Sequence, residues 1–219
     1  MRYWLAIVLL TFSAIALADT SPLPDMTRYP DGTRIYPDSA IYQGMNIRLD
    51  IANPIFELAR SGGRTWEVEV LLNTRLKYRY YPTLEAGYAA GYPQIAGGQM
   101  IGQGAFVRAG LDINPLKKHP ERMSYMTVGV RVGTALQQMT ASAVPTITNS
   151  ITAADVWGEI VAGVNVQIYA GFTMGWAVRM KWLFTTNSHG SNPAPYYIPG
   201  YGYTGSMRWG AEYYIGYKF

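Results

Sequence analysis

Polar and apolar side chains alternate along much of this chain. In the closing stretch GSMRWGAEYYIGYKF, Met207, Trp209, Ala211, Tyr213, Ile215, Tyr217 and Phe219 fall on one side and Arg208, Glu212 and Lys218 on the other. Successive side chains of a strand point to opposite faces, so a period of two predicts a strand with one wholly apolar face. Segment 64–80 has the same form. Trp66, Val68, Val70, Leu72, Thr74, Leu76, Tyr78 and Tyr80 share one face; Glu67, Glu69, Asn73, Arg75, Lys77 and Arg79 share the other, with Leu71 the apolar intruder. Read as one strand, it outlasts the usual soluble strand of about 5–6 residues and suits a tilted membrane crossing.

Six more segments carry the pattern. Their outward sets begin with Met45 to Ile51, Leu84 to Tyr92 and Ala105 to Ile113, and continue with Met126 to Val132, Ile160 to Ile168 and Phe172 to Phe184, every second residue. Eight such segments predict an all-β fold: a closed antiparallel eight-stranded transmembrane β-barrel over residues 41–219, with both chain ends on one side. The connections 81–83 and 170–171 read as tight periplasmic turns. Those at 93–100, 136–154 and 186–204 are rich in Gly, Pro, Ser, Thr and Asn and read as longer extracellular loops. Segment 53–63 is a further outer loop, with a helical turn expected over 54–60. Segment 114–122, NPLKKHPER, is a long, basic inner turn.

The chain's beginning adds a destination. Arg2, an apolar run over 5–17 and the small-x-small ending Ala16-Leu17-Ala18 form a secretory signal peptide over residues 1–18, too short to span a bilayer that needs about 20 residues. Residues 19–40, with Pro22, Pro24, Pro30 and Pro37, read as a Pro-rich periplasmic arm. The absence of cysteine excludes disulfides, thiol catalysis and a lipoprotein anchor. The 18 Tyr, 6 Trp and 23 Gly fit aromatic belts and a crowded lumen better than a soluble core. The net charge of +4 does not signal nucleic acid, because the bases are spread singly with acids between them.

The face opposite the apolar set predicts the lumen. Its acids are Asp50, Glu67, Glu69, Glu85, Asp112, Glu159 and Glu212; its bases are Arg48, Arg75, Lys77, Arg79, Arg108, Arg131, Arg179, Lys181, Arg208 and Lys218. An eight-stranded barrel is just wide enough to be filled by side chains, so these groups should form a packed ion-pair network, with inward glycines leaving room for the long side chains. An anion-selective pore is the rival reading of the arginines.

The stretches NTRLKYRYYPTLEAGYA, VAGVNVQIYAGFTMGWAVRMKW, PYYIPGYG and the final YKF resemble a family of uncharacterised small outer-membrane β-barrel proteins of Bacteroidota, a domain of unknown function. The likeness spans residues 41–219 and implies a barrel in the bacterial outer membrane, without catalytic residues or cofactors to transfer. Some small barrels of this phylum look like accessory subunits of outer-membrane assembly or secretion machines. The chain's end, with Ile215, Tyr217 and Phe219, resembles the signal read by the barrel assembly machinery, although Tyr214 stands where that signal often has glycine. The implied partners are membrane lipid and lipopolysaccharide, the assembly machinery during biogenesis, and other outer-membrane or periplasmic proteins.

Few residues suggest catalysis. His189 with Ser188 or Ser191 would serve a lipid-modifying hydrolase or acyltransferase, but loop 186–204 has no acid to orient the base. His189 and the other histidine, His119, lie in loops on opposite sides and cannot share a metal. Tyr196, Tyr197, Tyr201 and Tyr203 either bind a protein or glycan or pack over the barrel mouth. The periplasmic arm and the turn at Lys117, Lys118 and His119 form the other candidate contact surface. The leading expectation is a non-enzymatic structural or accessory barrel; a lipid A deacylase or acyltransferase is the alternative, and a narrow solute pore the third.

Overall fold

The computed structural model describes residues 41–51, 65–77, 79–91, 94–95, 98–115, 124–143, 147–169, 171–184, 197–203 and 205–219. The signal peptide and arm expected over 1–40 lie outside these residues, as do Lys117, Lys118, His119, Ser188, His189, Ser191 and Tyr196. The described residues contain eleven strands and no helix: β1 (Tyr42–Asp50), β2 (Thr65–Leu76), β3 (Tyr80–Gly91), β4 (Gln94–Ile95), β5 (Gly98–Ile113), β6 (Tyr125–Ala143), β7 (Ile147–Tyr169), β8 (Phe172–Leu183), β9 (Tyr197–Ile198), β10 (Gly202–Tyr203) and β11 (Met207–Lys218). Eight of them, β1, β2, β3, β5, β6, β7, β8 and β11, pair antiparallel around a closed cylinder. The ring closes where β1 meets β11, in register from Asn46↔Lys218 to Asp50↔Tyr214. Full closure leaves no free edge around the cylinder.

Alternation decides what lies inside. Val68, Val70, Val128, Val130, Val132, Ile160, Val178, Trp209 and Ile215 are exposed on the outer surface, Val130 at 61% and Trp209 at 67%. The charged residues between them, including Glu69, Arg131, Glu159, Arg179 and Glu212, are buried. The barrel therefore has its polar groups within and its apolar groups without, the reverse of a water-soluble core.

Two boundaries differ from the sequence reading. Segment 64–80 is not one strand: β2 stops at Leu76, and Lys77 turns the chain with a left-handed backbone, φ 45°. The turn is closed by Arg79 N–H to Leu76 O at 3.2 Å, while Lys77 N–H donates to Ile41 O, beside β1, at 3.0 Å. Residues 81–83, expected as a turn, belong to β3. Tyr81 there points inward and stacks on Tyr125, with ring centres 4.6 Å apart. Pro82 misled the reading because it lacks an N–H. The β2–β3 ladder accommodates it by lapsing between Asn73↔Thr83 and Leu76↔Tyr80, while Pro82 still faces Leu111 of β5.

The second difference lies at the opposite end. Segments 93–100 and 136–154, expected as loops, are largely strand. The β6–β7 ladder runs on to Ala143↔Ile147, and β5 follows β6 to Gly98↔Ala143. The two long strands have 19 and 23 residues against 12 for β2, β3, β8 and β11, so a twisted β-ribbon continues past the rim. Polar Thr, Gln, Ser and Asn obscured the alternation there without preventing pairing.

Candidate functional site

The lumen is the only place among the described residues where charged side chains converge. Glu85, on β3, is fully buried at its centre. Its Oε2 accepts from Arg108 Nη1 at 3.0 Å and from Arg179 Nη1 at 2.6 Å, and its Oε1 accepts from Arg131 Nη1. Each arginine then reaches another strand. Arg108 of β5 donates to Glu69 of β2 at 2.7 Å and lies 3.1 Å from Glu159 of β7 and 3.5 Å from Glu67. Arg179 of β8 donates to Glu159 at 2.9 Å and Glu69 at 3.3 Å and pairs with Glu212 of β11. Arg131 of β6 donates to Asp112 of β5 at 2.9 Å. Three guanidiniums thus tie seven barrel strands together across the interior. Buried charges persist when paired and multiply hydrogen-bonded, and the planar five-donor fork suits this geometry.

Glycine makes the space for it. A Cβ on Gly133 would lie 2.3 Å from the ring of Trp157, so this glycine permits the indole to lie flat against β6. The indole N–H in turn donates to Glu159 Oε1 at 2.6 Å.

Above the network, residues 197–203, between β8 and β11 in sequence, lie in the mouth. β9 and β10 form a miniature hairpin, Tyr197↔Tyr203 and Ile198↔Gly202, closed by Tyr201 N–H to Ile198 O at 3.1 Å. Tyr197, Ile198 and Tyr201 are buried against Ala89, Phe106, Ala135 and Trp157. At the tip, the Gly200 carbonyl accepts from Arg108 Nη2 and from Lys181 Nζ, both at 2.6 Å. Gly200 has φ +75°, and a Cβ there would lie 2.6 Å from the Phe106 ring. Only a residue without a side chain fits this approach. The hairpin is a plug, bolted to the charge network by its own backbone.

The expected site residues are therefore distributed as follows. Glu67, Glu69, Glu85, Arg108, Asp112, Arg131, Glu159, Arg179 and Glu212 form the network, and Lys181 joins it through the plug. Arg48, Asp50 and Arg75 are buried inside the barrel. Arg208, half-buried, donates from Nε to Tyr203 O at 2.7 Å. Lys77 is corrected, because the turn after Leu76 leaves it exposed; Arg79 is half-buried, with its Nε buried. Tyr197 and Tyr201 are also corrected as partner-binding residues, because they are buried in the plug and hold Glu67 Oε2 at 3.3 Å and Gly205 O at 2.5 Å. Tyr203 is partly buried, edge-on to Tyr197 at 5.5 Å. Ile215, Tyr217 and Phe219 are exposed on the outer wall, where Tyr217 packs edge-on against Phe172 and Phe219.

The sequence reading missed Asp155, Trp157 and Gln137, all buried, with Gln137 Nε2 donating to Asp155 Oδ2 at 2.5 Å. Their signal was parity: 155 and 157 continue the inward phase of Glu159. Asp50, Glu69 and Glu212 bring carboxylate oxygens within 4.8 Å of one another, but Glu69 and Glu212 already face Arg108 and Arg179, so the group works as ion-pair acceptors. The described lumen contains no histidine and no hydroxyl set beside a free base. Its chemistry is that of a packed electrostatic lattice.

Comparison with known proteins gives three results. No curated protein matches the sequence. Among solved structures, the crystal structure of Neisserial surface protein A (NspA) aligns with a TM-score of 0.43 and 10% sequence identity, covering 81% of this chain and 96% of that one. A family model described as "Domain of unknown function (DUF6048)" matches residues 1–219.

Proposed function

The chain belongs to the DUF6048 family, and we propose that it is a small, non-enzymatic outer-membrane barrel that does not conduct solutes and serves as a structural or accessory subunit contacting other envelope components. The observation that carries this reading is the filled lumen: the arginine–carboxylate lattice spans the bore, and the hairpin of Tyr197–Ile198 and Gly202–Tyr203 stoppers one end. The outer wall supports the location. A belt of exposed Val, Ile, Leu, Trp and Phe around a closed sheet is stable in hydrocarbon and aggregates in water. The end carrying Tyr42 and Lys218 then faces the periplasm, and the extended β5–β6–β7 ribbon faces outward.

A sealed bore leaves surfaces as the means of action. Full-length protein reconstituted in a planar bilayer is expected to give no steady single-channel current. Sustained conductance by the wild type would sink the non-conducting reading. Purification from the native envelope in mild detergent, followed by mass spectrometry, is expected to recover stoichiometric co-purifying envelope proteins. A barrel that always purifies alone would remove the accessory role.

The plug has its own test. Gly200→Val forces a β-branched residue into a left-handed backbone against Phe106, so the hairpin should leave the mouth while the eight-stranded wall stays folded. In the wild type, Tyr197 and Tyr201 should resist iodination in folded protein; in the variant they should label readily. Equal labelling in both would show that the plug does not depend on this contact.

A further inference from the structure

Below the ion-pair lattice, towards the end that carries Tyr42 and Lys218, the lumen changes character. Its inward positions are Gln43, Asn46 and Arg48 on β1, Asn73 and Arg75 on β2, and Tyr81 and Thr83 on β3. Tyr125 and Thr127 on β6, Asn165 and Gln167 on β7, Thr173 on β8 and Tyr214 on β11 complete the wall. Amides and hydroxyls dominate, and the carboxylate at this level, Asp112, is engaged by Arg131 at 2.9 Å and by Thr83 at 3.4 Å.

Arg48 is the anomaly in this chamber. It is 3% exposed, yet its guanidinium is not fully partnered among the described residues. The Tyr214 ring covers a face of the guanidinium at 4.5 Å. The atoms left without acceptors are Nε and Nη2. These two N–H groups form one straight edge of the guanidinium, the edge that meets two oxygens of a carboxylate or phosphate side by side. Asn73 Nδ2, on the neighbouring strand and 2% exposed as a residue, is a further buried donor without an acceptor. Around it, Asn46 and Thr173 already satisfy each other, Nδ2 to Oγ1 at 3.3 Å. A guanidinium cannot lose its charge to escape burial, and buried donors left without acceptors are costly.

We propose that this lower chamber is a binding site for a small oxyanion of carboxylate or phosphate type, held side-on by Arg48 Nε and Nη2 beneath the Tyr214 ring, with Asn73 as an additional donor. The ligand enters from the end of the barrel that carries Tyr42 and Lys218, because the plug and lattice fill the other. The rest of the lumen sets this edge apart: Arg108, Arg131 and Arg179 each have carboxylates within 3.0 Å, whereas Arg48 Nε and Nη2 have no acceptor among the described residues. The chamber therefore binds anions below a lattice whose own guanidiniums are already engaged.

The test uses the full-length folded barrel in detergent, with inorganic phosphate and acetate as separate probes and chloride at matched ionic strength as the control. In wild type, one or both oxyanions should shift the Arg48 Nε–Hε NMR resonance along a saturable curve. At 100 times the dissociation constant, binding should stabilise the fold about 100-fold in the unfolding equilibrium. Arg48→Gln should lose the saturable stabilisation, and Asn73→Leu should weaken it while retaining Arg48. Preference for phosphate over acetate, or the reverse, identifies the source chemistry. Absence of a saturable shift with either probe in folded wild type would overturn the proposal, as would equal stabilisation by chloride or an undiminished effect in folded Arg48→Gln. The NMR titration needs no variant, so it decides the matter even if Arg48→Gln fails to fold.

Discussion

Glu85→Ala should lower the stability of the folded barrel by about 3–5 kcal/mol, the cost of breaking a buried ion-pair assembly by removing one partner. The carboxylate accepts from Arg108, Arg131 and Arg179 at once, so its loss orphans donors on three strands. Arg131 suffers most, since among the described residues Asp112 alone remains to it, whereas Arg108 keeps Glu69 and Arg179 keeps Glu159. Glu85→Gln retains an acceptor oxygen and should cost less. Urea unfolding in lipid vesicles, followed by tryptophan fluorescence and by the heat-dependent gel mobility of folded barrels, measures both. An alanine variant with the wild-type midpoint would show that the lattice contributes nothing net at its centre.

Val130→Arg should cost about 2–4 kcal/mol in a bilayer, because it places a cation at mid-height on the outer wall. Val130 is among the most exposed apolar residues of β6, flanked by the inward Gly129 and Arg131. The matched control is Leu136→Arg, with an expected cost of about 0–1 kcal/mol near the interface. Leu136 pairs with Ala154, beyond the last β7–β8 pair at Trp157↔Leu183, so it stands past the rim of the neighbouring strand. If the two arginines cost the same, the outer wall is not graded by depth and its residence in lipid is refuted.

How much of this was legible in the sequence depends on how each residue signals. Parity is local, so the phase of Glu67, Glu69, Arg131, Glu159 and Arg179 could be read directly, and with it the eight-stranded wall. Turn position is less local. Pro82 advertises a turn, but Lys77 makes it, and nothing in Lys77 announces a left-handed backbone. Strand length failed for a related reason: polar residues in 136–154 pair through their backbones, which the side-chain pattern does not report. The plug was the least legible feature. Its hold on Arg108 and Lys181 is a backbone carbonyl at Gly200, and the register that brings it there depends on the closed cylinder. Composition did mark the segment through its tyrosines, but could not say whether they faced a partner or Phe106.

The seam between β1 and β11 has a consequence for biogenesis. Asn46 and Lys218 become neighbours although almost the whole barrel sequence separates them, and the last residue clasps the first strand, Phe219 N–H to Met45 O at 2.8 Å. The cylinder cannot shut until β11 has been made, since the closing ladder joins β11 to β1. A nascent or truncated product that stops before β11 exposes two adhesive sheet margins, so such a stop yields a polymerising fragment rather than a smaller barrel.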